Sequence, residues 1–412
     1  MKFRPNNKIS TFYPPQRTLM GPGPSDMHPR VLSALSRPTI GYLDPVFVGM
    51  MDELKALLRY VFQTQNAITF PVSGPGSVGM EMCFVNMVDP GDKVIVCRNG
   101  VFGGRMIENV ERCGGVPVII DDAWGEAVDP HKVEEAFRKH PDAKVLAFVH
   151  AETSTGVMSD AKALAAIARR HGALTIMDAV TSLGGSPVLV DEWGIDACYS
   201  ASQKCLSCTP GLSPITFSDR VIEKVRARGR KCQSWFMDLN LLLGYWGATT
   251  RTYHHTAPTN GLYGLHESLL MIHEEGLENS WARHLRNYKA LKAGLETFGF
   301  RFLVKEEARL PQMSAVMVPA GVDDKEVRRR LLADYSLEIG AGLGELAGRI
   351  FRFGIMGWSS KMENVMLCLC ALETVLSDMG VTVDFGAAES AAYRAYAANP
   401  ITARPARAAA VR

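Results

Sequence analysis

The stretch ALTIMDAVTSLGGSPVLVDEWGIDACYSASQK, residues 173–204, contains two short apolar runs that each lead to a reactive side chain. The first run, residues 173–177, is followed directly by Asp178, and the second, residues 198–200, ends four residues before Lys204. Short apolar runs between turn and helix signals are typical of strands buried in a parallel sheet. The stretch therefore predicts a carboxylate and an amine at the ends of two strands.

The same alternation continues on both sides of this stretch. Further strands are predicted at residues 67–72, 93–97, 116–120, 145–150 and 215–217, and helices at residues 47–62, 77–88, 105–113, 129–140 and 160–171. Strands that alternate with helices of about ten residues indicate βαβ units. We therefore expect an α/β fold whose large domain holds a mainly parallel, seven-stranded sheet.

A smaller α+β unit is predicted towards the C-terminus. Its expected helices are residues 279–298, 324–334 and 362–376, and its expected strands are residues 301–304, 314–318 and 350–353. The predicted organisation is an N-terminal arm over residues 1–20, a large domain over 21–276, a small C-terminal domain over 277–384 and a tail over 385–412.

Three polar segments follow strands of the predicted sheet, at residues 73–77, 150–156 and 178–185. Ligands of parallel sheets bind at the carboxyl ends of the strands. The first segment, SGPGS, joins a strand to a helix, and such turns bind anions through free backbone N–H groups. Taken alone, Lys204 would also suit a surface lysine and Asp178 a helix N-cap. Together, the three features match the needs of a pyridoxal phosphate (PLP) site: a phosphate cup, a carboxylate for the pyridine nitrogen and an amine.

Composition narrows the function classes. The 412 residues are 47% hydrophobic and 21% charged, which is typical of a globular protein, and the net charge of +2 gives no reason to expect a nucleic-acid partner. No apolar run is long enough for a membrane span and the N-terminus lacks a secretory signal, so we expect a cytoplasmic protein. Cys205 and Cys208 have CxxC spacing but no second ligand pair, so no metal site is predicted.

The motifs as a set resemble those of the class V aminotransferases of PLP fold type I, and most closely alanine–glyoxylate and serine–glyoxylate aminotransferases. The resemblance runs from residue 19 to about residue 376. It is carried by LMGPGPS (19–25), SGPGS (73–77), NGVFGGR (99–105), ETSTGV (152–157), MDAVTSLGG (177–185), SASQKCL (200–206), YHHTAP (253–258) and IFRFGIMG (350–357).

The resemblance implies roles for individual residues. Lys204 matches the lysine that binds PLP covalently and then moves the proton, and Asp178 matches the partner of the pyridine nitrogen. The residues implied to bind the cofactor are Pro75, Gly76, Ser77, Phe102, Thr153, Asp178, Val180, Gln203, Lys204, Tyr253 and Thr256. Tyr253 and Thr256 match residues that reach the neighbouring subunit's cofactor, which implies a homodimer with shared sites, or a tetramer built from it. Pro75 and Phe102 stand where the animal enzymes have Ser and Trp.

The expected activity is transamination from a small amino acid, alanine or serine, to glyoxylate. Arg352 matches the arginine that binds the substrate carboxylate, and the other candidate substrate-binding residues are Gly23, Tyr42 and Asn260. Ureidoglycine is an alternative donor, since an amide such as that of Asn260 could recognise a ureido group. Pyridoxamine–pyruvate transamination is a further alternative, which the phosphate cup and Gln203 disfavour.

Overall fold

The computed structural model describes residues 9–247 and 251–400. Its helices are α1 (Pro29–Leu35), α2 (Pro45–Phe62), α3 (Gly76–Met87), α4 (Val101–Arg112), α5 (Pro130–Lys139), α6 (Ala161–Arg170), α7 (Val190–Trp193), α8 (Asp219–Ala227), α9 (Leu239–Trp246), α10 (Thr259–Glu275), α11 (Leu277–Thr297), α12 (Asp324–Tyr335), α13 (Met362–Asp378) and α14 (Ala387–Ala398). Its strands are β1 (Thr18–Leu19), β2 (Ile68–Ser73), β3 (Lys93–Arg98), β4 (Val116–Asp121), β5 (Val145–Val149), β6 (Ala151–Glu152), β7 (Val157–Met158), β8 (Leu174–Asp178), β9 (Ala197–Tyr199), β10 (Leu212–Phe217), β11 (Met313–Met317), β12 (Leu337–Glu338), β13 (Gly340–Ala341) and β14 (Ile350–Gly354).

The central sheet has seven strands in the order β2-β10-β9-β8-β5-β3-β4. Only β10 runs antiparallel to its neighbours, β2 and β9. The prediction of an α/β fold with a mainly parallel seven-stranded sheet is confirmed. Strands β5, β8, β9 and β10 are buried at every residue. Burial on both faces explains why these strands are continuous apolar runs in the sequence.

The sheet register determines which side chains meet at its carboxyl edge. Val149, the last residue of β5, pairs with Asp178 at the end of β8, and Asp178 in turn pairs with Tyr199 at the end of β9. The segments that follow these strands therefore emerge at one edge of the sheet. The N-terminus of α3, which follows β2, lies at the same edge because Gly76 packs against Ala201.

The C-terminal unit contains a three-stranded antiparallel sheet in the order β11-β14-β13. Its helices α11, α12, α13 and α14 share a separate apolar core. Strand β1, at the end of the predicted arm, pairs with β12 of this unit. Helix α14, within the predicted tail, buries Ala388, Ala392 and Tyr396 in the same core. The domain boundaries remain predictions, and the predicted ends of the arm and tail, residues 1–8 and 401–412, lie outside the described residues.

Two local predictions differ from the structure. Residues 301–304 do not form a strand, since only Phe302 pairs, in an isolated bridge with Val316. Helix α10 has no prediction, although its buried Leu262, Leu265, Leu269 and Ile272 recur at helical spacing; Gly261 and Gly264 lower its helix propensity. Gly264 is placed against Leu35, where an added Cβ would lie 2.6 Å from the Leu35 Cδ2 atom.

Candidate active site

Asp178 is a buried carboxylate at the carboxyl end of β8, with 2% of its surface exposed. Its Oδ1 atom accepts a hydrogen bond from the Val180 N–H at 2.8 Å, and its Oδ2 atom accepts one from the Tyr199 hydroxyl at 2.7 Å. Burial raises the pKa of the Asp178 carboxyl to about 7, although both hydrogen bonds act in the opposite direction. A cationic partner would therefore stabilise the ionised form of this carboxylate.

Lys204 lies in the loop between β9 and β10, and its Nζ atom donates a hydrogen bond to the Pro22 carbonyl. Burial, together with the positive charge of Arg352, lowers the pKa of the Lys204 amine to about 8. Gly23 packs directly against this side chain: it has φ of +108°, and an added Cβ would lie 2.8 Å from Nζ. A side chain at position 23 would thus be strained and would collide with the lysine.

The N-terminus of α3 faces the Lys204 loop. Pro75 is the N-cap and provides no side-chain hydrogen bond to the first turn. An added Cβ on Gly76 would lie 3.1 Å from the Ala201 Cβ and 3.2 Å from the Val180 Cγ2, so only glycine leaves this helix end open. The buried Oε1 atom of Gln203 has no hydrogen-bond partner among the described residues. The open helix end offers free N–H groups to an anion. In the adjacent loop the amide nitrogen of Gln203 can donate as well, whereas its amide oxygen can only accept.

Arg352 brings a guanidinium from β14 of the C-terminal unit to the same site, with 5% of its surface exposed. Its Nε atom donates to the Ala341 carbonyl at 2.6 Å and its Nη1 atom to the Thr153 carbonyl at 3.0 Å. Burial lowers the pKa of the guanidinium to about 10, which leaves it charged at neutral pH. Its Nη2 atom has no acceptor within residues 9–247 and 251–400, so the site has a free donor for a carboxylate.

Comparison with known proteins identifies the family of this site. The Aminotransferase class-V family matches residues 43–347. The chain belongs to the class V aminotransferases. It is 38% identical over 400 residues to (S)-ureidoglycine–glyoxylate transaminase from Bacillus subtilis (strain 168), covering 93% of this chain and 96% of that protein. It is 40% identical over 354 residues to alanine–glyoxylate aminotransferase from Mus musculus, covering 85% of each.

A solved structure agrees with this assignment. The crystal structure of an alanine–glyoxylate aminotransferase from Nostoc sp. is 45% identical and superposes with a TM-score of 0.89, covering 91% of this chain and 100% of that chain. The aminotransferase described here therefore has the fold of PLP transferases of fold type I. The predicted family, fold and enzyme class are confirmed.

Phe102 and Thr153 both adjoin Glu152 in this aminotransferase: the Phe102 N–H donates to the Glu152 carboxylate, and Thr153 follows Glu152 in the chain. Phe102 is the second residue of α4, and the Arg105 guanidinium lies 4.8 Å from its ring centroid. The Thr153 hydroxyl forms a hydrogen bond with the Thr181 hydroxyl, and its carbonyl binds Arg352. The structure thus brings Phe102 and Thr153 to the carboxyl edge of the sheet, while their roles toward a ligand remain predictions.

Tyr253, Thr256 and Tyr42 form a more exposed group. Tyr253 is 55% exposed, and its hydroxyl makes one contact, with the Thr256 hydroxyl at 3.4 Å. The Tyr42 and Tyr253 rings lie 5.1 Å apart. This group is linked to the phosphate-cup segment, because His255, between Tyr253 and Thr256, forms a hydrogen bond of 3.0 Å with Ser73.

Asn260 has a structural function in this chain. Its amide nitrogen donates to the carbonyls of Leu35 and Arg37, and its amide oxygen accepts from the hydroxyls of Thr39 and Thr259. All four hydrogen-bonding positions of the amide are therefore occupied. In this conformation Asn260 braces α10 against the segment after α1, and its substrate role remains a prediction.

Two residues of the site are absent from the sequence predictions. Tyr199 supplies a hydrogen bond to Asp178, and Glu152 binds the N-terminus of α4. Tyr199 lies within a predicted apolar run, and Glu152 lies in the ETSTGV motif, so each had a positional signal. Neither contact could be assigned, because each joins residues that only the sheet register and the helix placement bring together.

Proposed function

We propose that this aminotransferase transfers the amino group of a small amino acid, alanine or serine, to glyoxylate, forming glycine and a 2-oxo acid, with PLP as its cofactor. The observation that carries the proposal is that one buried site contains both the amine of Lys204 and a free guanidinium nitrogen of Arg352. Glyoxylate has almost no side chain, so its carboxylate must supply most of its binding energy. The names of the relatives from Bacillus subtilis, Mus musculus and Nostoc sp. support glyoxylate as the acceptor.

The polar groups of the site fit PLP. The Gly76 and Ser77 N–H groups at the start of α3 would hold the phosphate, with the amide nitrogen of Gln203 as a further donor. Asp178 would bind the pyridine nitrogen, and Phe102 and Val180 would contact the ring. When bound, PLP supplies an aldehyde that takes up the amino group and a ring that withdraws electrons from the substrate α-carbon.

The chain's own groups account for the remaining steps. Arg352 binds the carboxylate of the donor and, in the second half-reaction, of the acceptor. The amine of Lys204, with a pKa of about 8, can hold or release a proton near neutral pH, which suits a group that moves a proton at the substrate α-carbon. Pro22 and Gly23 lie close to Lys204 and limit the room there, which favours small substrates.

We also propose a homodimer in which Tyr253 and Thr256 bind the phosphate in the partner copy. Both lie on a surface with several exposed apolar side chains nearby. Trp235, which stacks on the His254 ring, is 63% exposed. Near Tyr42, Leu43 is 46% exposed and Val46 is 74% exposed. Exposed apolar groups clustered in this way are typical of subunit interfaces.

A reducing, cytoplasmic location is part of the same proposal. All nine cysteines are unpaired, and seven of them are buried. Among the described residues, none of the helices has the length and apolar character needed to cross a membrane.

Ureidoglycine remains a second candidate donor, supported by the Bacillus subtilis relative. The hydrogen bonds of Asn260 oppose it, since its amide is fully engaged within the chain. The deciding experiment is a donor screen: PLP-loaded protein is incubated with alanine, serine, aspartate or ureidoglycine, each with glyoxylate or pyruvate, and product formation is measured. Far better use of pyruvate than of glyoxylate with every donor would contradict the proposal.

Asp178→Asn is expected to lower kcat/KM by ~10²-fold, because the pyridine nitrogen loses its ionic partner.

The same substitution should raise the stability of the cofactor-free protein, because the buried carboxylate then has no cationic partner. The folded-state pKa of about 7 is above the usual 3.8, so the contribution of Asp178 to stability is present at low pH and is lost as the pH rises through 7. The cofactor-free Asp178→Asn protein should therefore melt above the wild type at pH 8, with a smaller gap at pH 5. Near-normal activity, or an equal gap at both pH values, would contradict the assignment.

Hybrid dimers test the shared site. One chain carries Lys204→Ala and the other carries Tyr253→Phe with Thr256→Ala, and differently tagged chains allow the hybrid to be purified. If Tyr253 and Thr256 serve the partner copy, the hybrid has one intact site and regains activity that neither parent homodimer has. An inactive hybrid would place both residues in their own chain's site.

A further inference from the structure

Glu152 is a wholly buried carboxylate at the carboxyl edge of the sheet, with 0% of its surface exposed. Its Oε2 atom accepts hydrogen bonds from the N–H groups of Phe102 at 3.1 Å and Gly103 at 3.4 Å. Its Oε1 atom accepts from the Ser154 N–H at 3.0 Å and the Ser154 hydroxyl at 2.6 Å. A carboxylate at the first turn of a helix is stabilised by both the free N–H groups and the helix dipole. Glu152 therefore holds the end of α4 that carries Phe102.

Gly100 provides the space that this carboxylate occupies. An added Cβ on Gly100 would lie 2.5 Å from the Glu152 Cδ atom and 2.5 Å from the Ser154 Oγ atom. The φ of Gly100 is 172°, which is extended backbone that any residue can adopt. The requirement for glycine at position 100 is therefore one of space, and an alanine there would displace Glu152 and Ser154.

Glu152 is also connected to the substrate anchor. The next residue, Thr153, accepts a hydrogen bond through its carbonyl from Arg352 Nη1 at 3.0 Å. Arg352 comes from the C-terminal unit, whereas Glu152 lies on β6, which pairs with β7 just after β5 of the large sheet, and Phe102 lies on α4. One short segment, residues 152–154, thus touches both the helix end with Phe102 and the guanidinium.

We propose that Glu152 is a positioning residue that holds Phe102 and Arg352 at a set separation, so that the cofactor ring and the substrate carboxylate are aligned with each other. This inference rests on the proposed function, because it takes Phe102 as the residue against the PLP ring and Arg352 as the carboxylate anchor. Burial raises the pKa of the Glu152 carboxyl, but its hydrogen bonds to Ser154, Gly103 and Phe102 oppose this, and in its ionised form it favours the charged form of the buried guanidinium.

Three variants separate the contributions of Glu152. Glu152→Ala removes the hydrogen bonds and the charge. Glu152→Gln removes the charge but can still accept from Phe102 through its amide oxygen, with the Ser154 hydroxyl turning to accept from its amide nitrogen. Gly100→Ala keeps the glutamate but displaces its carboxylate.

Asp196→Asn is the matched control for these variants. Asp196 is 2% exposed and is also a buried carboxylate that binds a backbone N–H, that of Thr175 at 3.0 Å, together with the Arg220 guanidinium. It lies at the opposite edge of the sheet, where β8 begins and α8 follows β10. Asp196→Asn should therefore lower the stability of the fold without changing cofactor or substrate binding, and this distinguishes it from the Glu152 variants.

Two readouts are required for each variant. The first is the dissociation constant for PLP, obtained by titrating cofactor-free protein. The second is the pair of KM values for alanine and glyoxylate. We expect Glu152→Ala and Gly100→Ala to raise the PLP dissociation constant and both KM values by about 10-fold or more, with a smaller rise in Glu152→Gln. Asp196→Asn should lower the melting temperature and leave both readouts within about twofold.

The proposal is overturned if Glu152→Ala lowers only the melting temperature, as Asp196→Asn does, or if only one of the two readouts changes. If Glu152→Ala does not fold, Glu152→Gln and Gly100→Ala are judged by the same criterion. If wild-type protein does not use glyoxylate, the proposed function fails separately. The PLP titration and the KM for the oxo acid that is used then still decide the role of Glu152.

Discussion

Lys204→Ala is expected to abolish transamination, with a fall in kcat of at least about 10⁴-fold, because in the proposed mechanism this one residue supplies both the covalent link to PLP and the proton-transfer group. The site should still bind PLP, since the N-terminus of α3, Gln203 and Asp178 do not depend on the lysine for their positions. The measurement is steady-state turnover, together with the absorbance of the bound cofactor. Turnover within tenfold of the wild type would exclude Lys204 from the chemistry.

A covalent test accompanies this variant. Borohydride reduction of the PLP-loaded wild type should attach the cofactor to the peptide that contains Lys204, as found by mass spectrometry. Lys224→Ala is the control, because Lys224 pairs with Asp92 at the opposite edge of the sheet. This variant should remain active. Labelling of another lysine would mean that the site has been assigned to the wrong residue.

Arg352→Lys is expected to lower kcat/KM by ~10²-fold or more for the amino donor and the oxo acid alike. The variant keeps the charge, but lysine cannot bind the Ala341 and Thr153 carbonyls and a carboxylate with a planar fork. Leaving a substrate carboxylate without its buried partner costs about 2–5 kcal/mol. Both half-reactions should be affected because both use the same anchor.

The absorbance of bound PLP should be unchanged in Arg352→Lys, which separates loss of the anchor from loss of the cofactor. Arg349→Lys is the control: Arg349 directly precedes β14 and is exposed, so the same change there should have no effect. Wild-type kcat/KM for glyoxylate in Arg352→Lys would remove Arg352 as the anchor. A fall for the donor alone would show that the two substrates do not share it.

The central sheet could be predicted because its strands are buried on both faces. Strand β8, residues Leu174–Asp178, is apolar up to its last residue, and this pattern does not depend on any distant contact. The amphipathic helices between the strands are visible for the same local reason, as in α5 and α6. Where the structure depends on neighbouring elements the sequence analysis fails: residues 301–304 do not form the predicted strand, and helix α10 has no prediction.

The sequence by itself determined the α/β architecture and the edge of the sheet where Asp178 and Lys204 lie, because the carboxyl ends of parallel strands meet at one edge. Only the tertiary structure decided how these groups are arranged. The hydrogen bond from Tyr199 to Asp178 depends on the register of β9 against β8. The contact between Arg352 and the Thr153 carbonyl joins residues 199 positions apart, one in the C-terminal unit and the other in the segment that follows β5 and β6. Periodicity reports which face of an element is buried, whereas these contacts depend on how the elements pack, and no local pattern encodes that.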